Sequence, residues 1–303
     1  MKVSDVKTYI LQHELEGELG YSQAYFKART AHIVEVITDE GITGLGEAFG
    51  RLDFAFVNKA LIERVLKPLI VGEDPFEVER IWHKMYNNTR DWGQKGLILN
   101  SISGIDIALW DIVGKAAGQP VYKLLGGHFR DKIMPYGYGM LFRKVPDLPE
   151  EFNEEAARIV EMGFKATKLK IGMSPEMDVK LAEAVAKAVA GKARFMADAN
   201  HAYTATEAIP LGKRLEELGA FWFEEPVAPE DYDGYREVKD ALTMAVAGGE
   251  CEYTRWGFRE LISRRCVDIL QPEVASMGGI TEFRKVVAMA TAWGCLLYTS
   301  PSP

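Results

Sequence analysis

From residue 132 onward the chain repeats one unit: a short apolar run, then a stretch with apolar residues at helical spacing, with no long structureless gap. The runs fall at 132–140, 166–172, 194–200, 220–226, 244–250 and 267–274. Strands that alternate with helices are joined by crossovers, and crossovers make neighbouring strands parallel. Six such units in succession favour a (β/α) barrel over an open sheet. Around the second run the punctuation is explicit: Ser174 stands where an N-cap is needed, Pro175 at the first helical position and Gly191 where the helix must stop.

The residues before this repeat follow another grammar. Residues 31–38 alternate like a half-buried strand, Asp39-Glu40-Gly41 reads as a turn, and 42–49 returns as the second strand of a hairpin. Helical spacing follows over 55–70 and 75–87, and then a longer, largely buried helix over 98–117, ended by Gly118 and Pro120. Strands followed by helices make an α+β unit over 1–125, which leaves 126–303 for the barrel. The chain has 303 residues, 48% of them hydrophobic, enough for a core in each unit.

Acidic residues recur where a barrel enzyme assembles its site, at the C-terminal ends of the strands. Asp198 closes FMADAN, Glu224 closes FWFEEP and Glu250 closes VAGGE, each 26 residues after the last. Strand alternation puts Asp198 on one face with Met196 and Asn200, turns Phe195 and Ala197 toward the helices, and pairs Trp222 with Glu224. Any one of these acids alone would read as a solvated strand end or a helix cap. Three of them facing one cavity repel unless a cation neutralises them, and oxygen ligands of this kind suit Mg²⁺ or Mn²⁺. Glu225, of opposite parity, reads as an outer hydrogen-bonding or salt-bridge partner.

The second run places Lys168 and Lys170 on one face, pointing into the barrel. Burying ammonium groups is costly, and a strand covered by helices gives lysine no water to reach for. A lysine desolvated beside another cation has the lowered pKa of a general base. Next to a divalent metal, such a base suits abstraction of the proton α to a carboxylate, with the enolate stabilised by the metal. The sixth run ends Gln271-Pro272-Glu273, where Glu273 either orients a catalytic histidine or is structural. His201 either touches substrate or metal or makes a local hydrogen bond.

The net charge of −8 and the lack of clustered Lys and Arg argue against nucleic acid as a partner. Cys251, Cys266 and Cys295 are odd in number and lack C-x-x-C spacing, so reduced thiols are expected and not a disulfide framework. No apolar leader opens the chain, and no run is read as approaching the roughly 18 apolar residues of a membrane span. A cytoplasmic protein without membrane association is the expectation.

The set KLK at 168–170, DAN at 198–200, EEP at 224–226, GGE at 248–250 and QPE…GGITE at 271–282 resembles the enolase superfamily, mandelate racemase subgroup. The likeness runs from residue 1 to about residue 294. RDWGQKGL, SGIDIALWDI and ADANHAYT resemble the acid-sugar dehydratases and cycloisomerases of that subgroup in particular. The resemblance implies an enolase-type barrel with an N-terminal α+β capping domain and Mg²⁺ on Asp198, Glu224 and Glu250. It further implies Lys170 as base, with Lys168 tuning it and meeting the substrate carboxylate. Cap loops near Tyr21 and 50–54 would close over the substrate, making Tyr21, Asn200 and His201 candidates for substrate contact. A homo-oligomer is expected of the full-length chain.

Two departures stand out. The family usually has Asp where Glu273 stands, and a histidine at the end of the seventh strand. Here the chain reads Gly294-Cys295-Leu296-Leu297 and ends on Tyr298-Thr299-Ser300-Pro301-Ser302-Pro303. The expectation is therefore a C-terminally truncated barrel with strands seven and eight missing or altered. The expected function is Mg²⁺-dependent α-proton abstraction and β-elimination, by dehydration or lactone ring opening, on an acid sugar or its lactone. The alternatives are racemisation or epimerisation of a 2-hydroxy acid, and an inactive fragment that only binds metal and acid sugar.

Overall fold

The computed structural model describes residues 1–128 and 130–297. It opens with an antiparallel sheet of β1 (Val3–Tyr21), β2 (Ala24–Thr38) and β3 (Thr43–Glu47), in that order. The hairpin expected at 31–49 is β2–β3, with the Gly41 amide donating to the Thr38 carbonyl across the turn. β1 extends it, pairing from Val3↔Thr38 to Tyr21↔Ala24. α1 (Leu52–Leu61) runs through a π-helical turn (Ile62–Leu66) into α2 (Lys67–Ile70), and α3 (Val78–Thr89) and α4 (Leu97–Ala116) follow. Val34 and Val36 of β2 share one core with Ile81 and Trp82 of α3 and Ile102, Ile105 and Leu109 of α4. Each such side chain contributes about 1.5–3 kcal/mol by leaving water.

α4 corrects one expectation. This 20-residue helix holds an 18-residue stretch of mean hydropathy 1.4, long and apolar enough to cross a membrane, but 67% of that stretch is buried inside the protein. Its apolarity is that of a core helix packed on the antiparallel sheet.

After the short α5 (Val121–Leu124), the chain enters the repeat. It runs β4 (Gly137–Tyr138), α6 (Leu148–Glu161), β5 (Ala166–Lys170), α7 (Pro175–Val189), β6 (Arg194–Asp198), α8 (Ala205–Glu217) and β7 (Trp222–Glu224). It continues with α9 (Tyr232–Ala241), β8 (Ala245–Gly248), α10 (Thr254–Ser263), β9 (Ile269–Leu270), α11 (Gly279–Ala292) and β10 (Leu296–Leu297). β4 to β10 form one parallel sheet in sequence order, as right-handed βαβ units require. Ser174 caps α7, its hydroxyl accepting from the Met177 amide at 3.3 Å, and Gly191 beyond the helix has φ +68°.

All six expected strands are present and shorter than the apolar runs. The run at 132–140 keeps only Gly137 and Tyr138, because a strand lasts only where its neighbour offers partners, here Thr167 and Lys168. Strand seven, expected to be missing or altered, is begun as β10, with Leu296 and Leu297 paired to Ile269 and Leu270. The rest of that expectation falls on residues 298–303, outside the described residues.

The strand faces divide as alternation requires. Leu169, Ile171, Phe195, Ala197, Phe223, Val246 and Leu270 pack beneath the helices, while Ala166, Met196, Trp222, Ala247 and Ile269 fill the interior. The N-terminal unit is tied to this sheet through one face of α4. Ser103 accepts from the Gly278 amide at 2.9 Å, Asp106 from the Thr281 amide at 3.0 Å, and Trp110 Nε1 donates to Thr281 Oγ1 at 3.0 Å. α11 has no side-chain cap of its own, so Asp106 does for it what an N-cap residue would. A Cβ on Gly279, which has φ +77°, would lie 2.3 Å from Asp106 Oδ2.

Candidate active site

Register decides which side chains meet. β5 and β6 pair with Lys170 beside Asp198, and β6 and β7 pair with Asp198 beside Glu224. One charged row thus crosses three strands, with Lys168 one inward position below it, beside Met196. Lys170 Nζ donates to Asp198 Oδ2 at 2.5 Å and to Asn200 Oδ1 at 2.6 Å. Lys168 Nζ lies 2.5 Å from Glu224 Oε1 and 3.1 Å from Asp198 Oδ2. Trp222 Nε1 donates to the second Glu224 oxygen at 2.9 Å. Asn200 Nδ2 reaches Glu250 Oε1 at 3.3 Å, drawing the fourth strand end into the network.

These groups are out of water: Lys168 is 1% exposed, and Asp198 and Glu224 are fully buried. Burial alone would lower both lysines, but the surrounding carboxylates outweigh it and hold each above the ordinary lysine range. Burial would likewise raise Asp198, yet Lys170 and Lys168 keep it well below the usual carboxylate range. Glu224 is pushed up to about 7 by burial and by Asp198, against the pull of Lys168. Asp198, Glu224 and Glu250, when ionised, set three negative charges against the two ammonium groups, and a divalent cation is drawn to such an excess. The donor set fits such a cation: Asp198, Glu224 and Glu250 offer carboxylate oxygens from consecutive strand ends, the ligands that Mg²⁺ takes.

The turns at these strand ends are strained and clamped. Asn200, His201 and Glu225 have φ of +42°, +54° and +41°, a conformation that costs non-glycine residues about 1–3 kcal/mol and gathers at functional sites. The His201 amide donates to the Glu225 carbonyl at 2.7 Å, and the Glu225 amide to Ala247 at 3.0 Å. The N-terminal sheet reaches this rim. Ser22 Oγ donates to the carbonyls of Ala199 and Asn200 at 2.8 and 3.0 Å, and the Tyr21 ring centroid lies 5.9 Å from Lys170 Nζ. Gly172 makes that approach feasible, since a Cβ there would stand 2.7 Å from Ser22 Cβ.

Among the residues singled out in the sequence, Lys168, Lys170, Asp198, Asn200, Glu224 and Glu250 share this network, and Tyr21 stands at its edge. Glu273 is apart: its Oε1 accepts from the Ala275 amide at 3.1 Å, and among the described residues no histidine or lysine pairs with it. Burial raises its carboxyl, with Glu250 and Glu47 adding to the effect. Glu225 takes the first of its two expected roles, that of an outer hydrogen-bonding partner, and not the salt bridge. It is 1% exposed and no Lys or Arg pairs with it among the described residues; it accepts from Asn200 Nδ2 at 3.4 Å and faces His201 and Cys251.

Sequence reasoning missed Tyr136 and Tyr138, whose rings lie 5.9 and 5.8 Å from Lys168 Nζ. Parity along the first run would have found them, because Tyr138 pairs with Lys168. Burial pushes the Tyr136 hydroxyl up to about 12, and it has no hydrogen-bond partner among the described residues.

Residues 19–126 match the mandelate racemase / muconate lactonizing enzyme N-terminal domain, and residues 151–299 match the enolase C-terminal domain-like family. With those matches and the close relatives below, this chain belongs to the enolase superfamily, in its mandelate racemase subgroup. It is 40% identical over 294 residues to D-galactarolactone cycloisomerase of Agrobacterium fabrum, spanning 97% of this chain and 77% of that protein. It is 39% identical over 300 residues to arabinonate dehydratase of Saccharolobus solfataricus, spanning 96% and 79%. The crystal structure of 3,6-anhydro-D-galactonate cycloisomerase from Zobellia galactanivorans superposes with a TM-score of 0.90 at 37% identity, covering 100% of this chain and 80% of that one. A racemase from Streptomyces coelicolor with bound magnesium matches with a TM-score of 0.90 at 28% identity, covering 99% and 84%.

Proposed function

We propose that the chain removes the proton α to the carboxylate of an acid sugar or its lactone and completes a β-elimination, as dehydration or as lactone ring opening. The observation that carries this is the pair of buried lysines on β5 set against carboxylates on the next three strand ends. A structural role would not need two ammonium groups out of water at the one end of the barrel where enzymes of this architecture react. The kinship to a galactarolactone cycloisomerase and an arabinonate dehydratase supports acid sugars as the substrate class.

Asp198, Glu224 and Glu250 would hold Mg²⁺, with Mn²⁺ a chemically similar substitute, and the bound ion would supply charge stabilisation to the enolate. Lys170 takes the α-proton onto Nζ while the C–H electron pair moves into the carboxylate, in the neutral form it reaches only when the carboxylate charge that now holds its ammonium is otherwise neutralised. That pair then returns to form the C=C bond as the β C–O bond breaks, the departing oxygen leaving as a carboxylate from a lactone or taking a solvent proton to leave as water in the dehydration. Asn200 holds the Lys170 ammonium in place through Oδ1. Lys168, one inward position deeper, meets the substrate carboxylate and raises the cost of a second positive charge beside it. Tyr21, whose ring lies 5.9 Å from Lys170 Nζ, and His201 would contact the polyol.

The test is proton NMR in D₂O with a panel of hexarates, pentonates and their lactones, with and without Mg²⁺. Wild-type chain is expected to exchange the α-proton or form a keto-deoxy product, and Lys170→Ala to lower the rate by roughly 10²–10⁴-fold, the usual worth of a general base. Turnover that survives Lys170→Ala would overturn the assignment of the base.

A further inference from the structure

Beside the carboxylate row lies a cluster with different donor chemistry. Among the described residues, the ligand atoms of His201, Glu225 and Cys251 all fall within 4.8 Å of one another. They come from three consecutive strand ends, each just past a residue of the row: His201 follows Asn200, Glu225 follows Glu224 and Cys251 follows Glu250. We propose that His201, Glu225 and Cys251 form a second cation site for a thiophilic divalent metal of the Zn²⁺ or Co²⁺ class.

One imidazole nitrogen, one carboxylate oxygen and one sulfur make a borderline-soft set, which Mg²⁺ disfavours and Zn²⁺ and Co²⁺ accept. Ligand atoms about 2.0–2.3 Å from such an ion stand roughly 3.3–3.8 Å apart, so the present spacing needs at most about 1.5 Å of side-chain closure. Glu225 is 1% exposed, and among the described residues no Lys or Arg pairs with it. The Cys251 sulfur faces it, within 4.8 Å of a carboxylate oxygen. His201 is aimed by a left-handed backbone fixed through its 2.7 Å amide bond to the Glu225 carbonyl. His201 and Cys251 are only partly buried, giving an ion a way in and leaving room for water as fourth ligand. Binding would release the Cys251 thiol proton to solvent, so that the thiolate coordinates. Asn200 touches both sites, through Nδ2 to Glu225 Oε2 and to Glu250 Oε1, so an ion here would be felt at the carboxylate row.

The experiment is a Co²⁺ titration of chelator-stripped chain in the presence of excess Mg²⁺, read by absorbance. A thiolate-to-cobalt charge-transfer band is expected in wild type, absent in Cys251→Ser and retained in Asp198→Asn, with folding checked by far-UV circular dichroism. His201→Gln is expected to weaken Co²⁺ binding by more than the roughly 10- to 100-fold that loss of an outer partner costs, and it decides the matter if Cys251→Ser does not fold. No band in wild type, a band that survives Cys251→Ser, or unchanged affinity in His201→Gln would overturn the site. Loss of the band in Asp198→Asn would show that sulfur-bound cobalt also needs the carboxylate row, and would overturn a separate second site. None of these readings depends on turnover, so a failure of the proposed elimination would not imitate a failure here.

Discussion

The N-terminal unit and the parallel sheet each enclose an apolar core, yet they treat buried titratable groups in opposite ways. In the N-terminal unit such groups stand singly. His32 is fully buried with neither ring nitrogen hydrogen-bonded among the described residues, and burial lowers its pKa to about 4, with Lys59 adding to the effect. Asp106 is fully buried against α11, and burial raises it to about 7 despite its hydrogen bonds to Thr281. In the parallel sheet Lys168, Lys170, Asp198 and Glu224 are buried as a group, in mutual contact. A lone group escapes the cost of burial by staying neutral, whereas an opposed group can keep its charges. The first arrangement makes stability depend on pH; the second keeps charge available for chemistry.

The largest effect expected of this contrast lies in the apolar part of the N-terminal unit. Ile102→Ala, at a position with no exposure, should cost about 2–5 kcal/mol in urea unfolding while leaving Co²⁺ and Mg²⁺ binding by the folded chain intact. A loss of metal binding in the folded variant would show that the two regions are not separable as described.

Asp106→Asn comes next. Because the folded pKa is raised from 3.8 to about 7, the stability tied to this carboxyl is fully present below 3.8 and is lost as pH rises toward 7, by at most about 4 kcal/mol. The amide keeps an acceptor for the Thr281 backbone and cannot ionise. Thermal melts from pH 4 to 8 should therefore show a flatter slope, with the variant no less stable than wild type at pH 8. A variant that is less stable there would mean that the carboxylate charge itself holds α11.

His32 should act with the opposite sign. Its folded pKa is depressed from 6.5 to about 4, so the stability tied to it is present above pH 6.5 and lost as pH falls through 4, by at most about 3 kcal/mol. In the same melts His32→Leu should flatten this acid limb. An unchanged limb would place the acid sensitivity elsewhere, in the carboxylates of the parallel sheet. The smallest change is Ser174→Ala, which removes the cap of α7 for about 1 kcal/mol, independent of pH between 5 and 8.

Much of the site was legible before any coordinates. Lys168 and Lys170 point inward because alternation on a helix-covered strand leaves no other side for them, and the same parity assigned Asp198, Glu224 and Trp222. The strand lengths were not legible, since an apolar run continues past the last residue that finds a partner. Tyr136 and Tyr138 were overlooked for a related reason: the run at 132–140 looks uniform until β5 selects two of its residues. The grouping of His201, Glu225 and Cys251 was hidden by the way cysteines are read, by spacing along the chain, when the three residues lie on three separate turns.

Periodicity and punctuation thus determined the alternation of strands and helices and the face each charged residue occupies, because those properties follow from backbone geometry over a few residues, while the family was legible only in the motifs KLK, DAN, EEP and GGE. Tertiary structure alone decided which charges touch, that Asp106 of one unit caps a helix of the other, and that Glu225 turns toward a thiol and an imidazole instead of a lysine. Those outcomes rest on register between strands and on left-handed turns at Asn200, His201 and Glu225, and both are set by contacts between residues far apart in the chain.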